Sequence, residues 1–72
     1  MKLKTFEKVN VNTRTEYTVF HDDDPFDSFT VDYLSKDYDA ILRRMRYEKA
    51  GAVVRFVCVN SATGNLSVTV EI

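Results

Sequence analysis

From Arg14 to Phe20 the chain alternates, with Thr15, Tyr17 and Val19 on one side and Glu16, Thr18 and Phe20 on the other. That period of two, in residues of high β-propensity, predicts a strand. Leu3 to Val9 reads as a strand before it. Asn10-Val11-Asn12-Thr13 is the turn between them, because Asn tolerates left-handed backbone and bonds its own main chain. His21-Asp22-Asp23-Asp24-Pro25 reads as loop, since a proline cannot donate within a central strand. Ser28 to Tyr33 alternates again, Phe29, Val31 and Tyr33 against Thr30 and Asp32, and suggests a short third strand.

The period then changes to that of a helix. Tyr38, Ile41, Leu42 and Met45 fall at i, i+3, i+4 and i+7, a single apolar stripe. Ser35 is the expected N-cap and Gly51 the expected residue just past the end, which places a helix over about 36–50. Asp37 and Asp39 occupy its first turn; Arg43, Arg44, Arg46 and Lys49 lie further along, in keeping with the helix dipole. Ala52 to Val59 and Leu66 to Ile72 read as a C-terminal hairpin around Asn60-Ser61-Ala62-Thr63-Gly64-Asn65. The expected fold is α+β: one domain over 1–72, an antiparallel sheet of element order ββ(β)αββ, and one amphipathic helix packed on one face.

Two features exceed what that fold needs. The strand Ala52 to Val59 is apolar on both faces, Val54, Phe56 and Cys58 on one and Val53, Val57 and Val59 on the other. One helix covers one face, so loops shield the second or a partner does; a homodimer through Val53, Val57 and Val59 is one such arrangement. Tyr47 lies nearly opposite the helix stripe, beside Ala40, Arg43 and Arg44. A solvent-facing Tyr between two Arg has the composition of an interface hot spot, or of a local guanidinium stack at i,i+3 and i,i+4.

Charge changes the picture more than composition does. The 72 residues carry a net charge of −1, too little for a global field that would hold DNA or anionic lipid. The total hides a segregation: residues 1–21 sum to +2, residues 22–39 to −6 and residues 40–72 to +3. The middle segment owes its sign to seven aspartates against one lysine. Mean hydropathy is −0.27, and no apolar run approaches the roughly 20 residues of a membrane span. The N-terminus lacks the apolar core of a signal peptide, and a single cysteine excludes an internal disulfide framework. A small cytoplasmic protein is the expectation.

Catalytic chemistry is scarce. His21 is the only histidine and sits in a loop, while Cys58 lies mid-strand in an apolar run and reads as a small buried hydrophobe. Nothing brings them together as a dyad. Asp22, Asp23, Asp24 and Asp27 have the chemistry of a hard-cation site. An EF-hand counted from Asp22 nevertheless fails at its sixth and twelfth positions, which hold Asp27 and Tyr33. Asp23-Asp24-Pro25-Phe26-Asp27 fits the DDxxD string of terpenoid synthases, whose large helical cavity 72 residues cannot build. One Cys and one His cannot make a zinc site in a monomer, and two glycines make no phosphate loop. The reading is non-enzymatic, with no cofactor and no metal.

What remains is binding. Asp22, Asp23, Asp24 and Asp27 beside Phe26 could present spaced carboxylates to a basic groove as a nucleic-acid mimic does, with Arg43, Arg44 and Tyr47 as further contacts. Aspartate is also simply favoured in loops and first helical turns. A second reading is nucleic-acid binding through Arg43, Arg44, Arg46 and Lys49, opposed by Glu48 and by the neighbouring aspartates. A third is a small structural subunit that assembles through its valine-rich sheet face. No motif identifies a family. At the level of class alone, a small domain without catalytic groups is similar to the inhibitors that phages and mobile elements direct at host enzymes.

Overall fold

A computed structural model describes all residues from Met1 to Ile72. The elements are α1 (Leu3–Val9), β1 (Arg14–His21), β2 (Asp24–Asp32), α2 (Tyr38–Lys49), β3 (Val53–Val59) and β4 (Leu66–Glu71). The α+β class holds. The order is αββαββ with two helices, and the four strands lie in the order β2-β1-β4-β3. β1 and β4 run parallel in the centre, while β2 and β3 pair antiparallel at the edges. The sheet is therefore mixed, where an antiparallel one was expected.

The first expected strand is a helix. Leu3, Phe6 and Glu7 stand at i, i+3 and i+4, and this side turns inward: Leu3 is fully buried and Phe6 packs against the core. Seven residues are too few for a helix to persist alone. Tertiary bonds hold it, with the Leu3 N–H donating to the Ala52 carbonyl at 2.8 Å and the Val54 N–H to the Met1 carbonyl at 2.7 Å.

The expected loop is shorter, and the expected third strand longer. Only Asp22 and Asp23 turn the chain, and β2 begins at Asp24 opposite His21. Pro25 lies inside β2 because β2 is an edge strand, where the missing N–H leaves no interior partner unpaired.

Helix α2 starts two residues later than the sequence suggests. Ser35 Oγ donates to the Asp32 carbonyl, Lys36 turns with φ 57°, and Asp37 Oδ1 accepts from the Ala40 N–H at 3.2 Å as the N-cap. The other end is as expected. Gly51 takes φ 80°, and the Gly51 and Ala52 N–H groups donate to the Glu48 and Tyr47 carbonyls, closing a Schellman motif.

Both helices lie on one face of the sheet. That face carries the buried Thr15, Tyr17 and Val19 of β1, Val31 of β2, and Val68 and Val70 of β4, closed by Leu3 and Ala40. Glu16, Thr18, Thr30, Ser67 and Thr69 point the other way, where Glu16 accepts hydrogen bonds from Asn60, Thr63 and Asn65 of the β3–β4 loop. On β3 a bulge between Val54 and Phe56 reverses the alternation. Val54, Val57 and Val59 pair with Val70, Val68 and Leu66 on the helix side, while Val53, Phe56 and Cys58 pair with Glu71, Thr69 and Ser67 on the open side. The Val53/Val57/Val59 face expected from strict alternation is thus not one surface, and Cys58, expected to be buried, is exposed because it falls on the open side of an edge strand.

Candidate functional site

The orientation of α2 decides what the surface offers. The stripe expected to face the core is largely outside: Tyr38 is 66%, Leu42 54% and Met45 44% exposed, and only Ile41 packs against the core. The inner face is Ala40, Arg44 and Tyr47, at i, i+4 and i+7. Ala40 brings the helix close to the sheet, and the two larger residues flank it. Each of those polar tips then requires a partner.

Arg44 finds one in α1. Its Nη1 lies 2.9 Å from Glu7 Oε2 and 2.6 Å from the Tyr33 hydroxyl, which itself donates to Glu7 Oε2 at 2.7 Å. Side-chain exposures of 14% for Arg44 and 8% for Glu7 make this an interior ion pair. Burial, and then the bond to Glu7, push the Tyr33 phenol up to about 12. Glu7 Oε1 and Arg44 Nε are buried without a hydrogen-bond partner. Arg44 is thus separated from the other expected site residues and serves the interior.

Tyr47 finds its partner in β2. Its hydroxyl donates to Asp27 Oδ2 at 2.7 Å, and Arg43 Nη1 lies 3.5 Å from Asp27 Oδ1. The Tyr47 ring stacks on Phe29 at 5.9 Å and meets Phe26 edge-on at 6.4 Å; Phe26 in turn meets His21 at 6.4 Å. The Arg43 guanidinium sits over Phe29 at 5.5 Å. Burial, and then the bond to Asp27, push the Tyr47 phenol up to about 12. Four expected residues, Phe26, Asp27, Arg43 and Tyr47, therefore form one cluster. Tyr47 is its half-buried centre, where the sequence suggested an outward-facing residue. Beside it opens a cleft of about 390 Å³ lined by Asp27, Arg43, Arg46, Tyr47, Ala50 and Ile72.

The aspartates divide by duty. Asp27 is held by Tyr47 and Arg43. Asp32 accepts from Arg14 at 2.7 Å and from the Leu34 N–H at 2.9 Å, and those bonds hold its carboxyl below the usual carboxylate range. Asp37 caps α2. Asp22, Asp23 and Asp24 have no such duty: all three are exposed at the tip of the β1–β2 hairpin, where His21 Nε2 lies 3.5 Å from Asp22. These carboxylates do not gather with other side chains into a cluster able to hold a metal ion.

That tip is unusual in its backbone. Asp22 has φ 50° and Asp23 φ 66°, both left-handed, between the paired residues His21 and Asp24. This is the two-residue hairpin turn of type I′, which Asn-Gly fits best and in which Asp is tolerated at a cost. Asp22 is at a position that accepts Asn or Asp, whereas Asp23 occupies the one that Gly fits best, next to an exposed Phe26.

No helix is long and apolar enough to cross a membrane. No protein-family model matches the chain, and no curated protein or solved structure is significantly similar to it.

Proposed function

We propose that this chain is a non-enzymatic protein-binding module, an inhibitor or regulator of the phage or mobile-element type, that presents the Asp22-Asp23-Asp24 tip and Phe26 to a basic groove of its target. A nucleic-acid-processing enzyme is the target class whose phosphate-binding groove suits spaced carboxylates. The carrying observation is the left-handed pair Asp22 and Asp23. A turn that would be more stable as Asn-Gly keeps its charge, and local conformational cost of this kind concentrates where a surface is used. The supporting observation is the division of the aspartates, which leaves these three free of internal partners while Phe26 stands exposed beside them.

The alternative, nucleic-acid binding through α2, is weakened by the same geometry. Arg44 is committed to Glu7 and Arg43 leans on Asp27, which leaves Arg46 and Lys49 as the free cations of that set. Two cations make a shallow salt dependence and a weak phosphate contact.

Affinity capture from a bacterial host with and without nuclease separates the readings. A discrete protein that survives nuclease and is lost from the Asp22→Asn/Asp23→Asn/Asp24→Asn variant is expected. Capture of nucleic acid alone, or of a protein that the triple variant retains, would overturn the acidic-tip reading.

A further inference from the structure

The two edges of the sheet are built differently, and the difference points to a second copy of this chain. The β2 edge carries Pro25 and three aspartates, Asp24, Asp27 and Asp32, the usual devices against strand addition. The β3 edge is closed only at its start, where Lys2 bridges Val53 and Met1 accepts from the Val54 N–H. Beyond the bulge, Phe56-Val57-Cys58-Val59-Asn60 contains no charge and no proline. Phe56 is 63%, Val57 42% and Val59 66% exposed, and Cys58 is exposed as well.

The direction of the free backbone groups defines the register. The Asn60 N–H donates inward to the Asn65 carbonyl of the neighbouring strand. Main-chain groups alternate sides along a strand, so Cys58 and Phe56 also face β4 while Val57 and Val59 face outward. We propose that β3 pairs antiparallel with β3 of a second copy about a two-fold axis at Cys58. Val57 then opposes the partner's Val59, Val59 opposes the partner's Val57, and four new hydrogen bonds satisfy every outward N–H and C=O of the two residues. The alternative two-fold at Val57 would leave Val59 facing the bulged Arg55. On the helix side the pairing joins four valines; on the open side it sets the two Cys58 residues across a non-hydrogen-bonded pair.

Charge agrees with this occupant. Arg55, the one charged residue of β3, is already paired with Glu71 at 2.9 Å, so the strand itself brings no unpaired charge to the contact. Because only this edge is open, pairing closes at a dimer with one continuous eight-stranded sheet and does not propagate. The strand covers on the order of 400 Å² per copy, against the ~800 Å² of a standard stable interface, so the dimer is a weak and dissociable one. The acidic tip lies on the opposite edge strand, and the pairing does not depend on its role.

Cys58 reports the register. A non-hydrogen-bonded antiparallel pair has Cα atoms about 4.5 Å apart, within the about 4.4–6.8 Å a disulfide spans. Sedimentation of the full chain over a range of concentrations is expected to show a monomer–dimer equilibrium. Diamide, which takes up the two protons and two electrons lost by the thiols, should then link Cys58 to Cys58 of the partner subunit at least tenfold faster than in 8 M urea. Val57→Pro removes an outward N–H that no bond within the monomer uses. It should weaken association at least tenfold with an unchanged circular dichroism spectrum, and Val59→Lys should do the same by charge repulsion if the proline variant does not fold. A chain that stays monomeric at millimolar concentration would overturn the proposal. So would cross-linking no faster than in urea, or a dimer indifferent to the folded β3 variants and lost on Leu42→Lys.

Discussion

Removing the Arg44 guanidinium would leave the Glu7 carboxylate, 8% exposed, with only the Tyr33 hydroxyl beside it. Breaking an interior pair from one side costs far more than the pair contributes as a whole, because the remaining charge stays desolvated. Arg44→Ala is therefore expected to lower the unfolding free energy by about 3 kcal/mol. Arg43→Ala should lower it by less than about 1 kcal/mol, since Arg43 is 43% exposed and only 3.5 Å from Asp27. Urea denaturation of the two variants reads the difference. The tyrosines add a pH dependence. Tyr33 and Tyr47 have folded values raised from 10.0 to about 12, so the folded state holds their protons more tightly. Their contribution is fully present below pH 10.0 and is lost as pH rises through about 12. Thermal melts across that window should show the loss, and the Tyr33→Phe/Tyr47→Phe variant should be nearly insensitive to it.

Helix α2 is the element whose orientation the rest depends on. Leu42 and Met45 lie outside, so Leu42→Gln and Met45→Gln should each change stability by less than about 0.5 kcal/mol. Ala40 faces the sheet at 8% exposure, and Ala40→Leu should destabilise by about 1–3 kcal/mol through overpacking. A core role for Leu42 would reverse that ranking. The sequence showed where this helix ends, through Gly51, and that it is a helix at all. It misled on the face, because an apolar stripe ordinarily faces the core and a small Ala40 between Arg44 and Tyr47 reads as the outer side. Arg44 can turn inward only because Glu7 meets it, and Glu7 is in reach only because Leu3–Val9 is helical. With that segment taken as a strand, the pair was invisible, although Leu3, Phe6 and Glu7 already stood at helical spacing. β1 and β4 were legible because strict alternation over strands with one buried face admits a single register. The bulge after Val54 has no comparable signature, and it redistributed the valines of β3. The grouping of Phe26, Asp27, Arg43 and Tyr47 was legible as composition, and only the packing of α2 on β2 showed that they are joined.

On the scale of the whole molecule, charge and apolar surface are sorted by edge. β2 carries the acidic tip and its proline-guarded flank, β3 the uncharged strand, and the outer side of α2 the Tyr38, Leu42 and Met45 stripe. Internal pairing consumes Asp27, Asp32 and Asp37, so of the seven aspartates of the acidic segment four remain, all exposed: Asp22, Asp23 and Asp24 together at the hairpin tip and Asp39 apart from them on the first turn of α2. The central claim is that the hairpin turn keeps its charge against the preference of its own backbone. Equilibrium urea denaturation of Asp22→Asn/Asp23→Gly tests it most directly. The account predicts a higher midpoint with an unchanged slope, a gain of about 1 kcal/mol from relieved left-handed backbone and charge repulsion. A lower midpoint would mean that the two aspartates help to hold the fold together, and would contradict it.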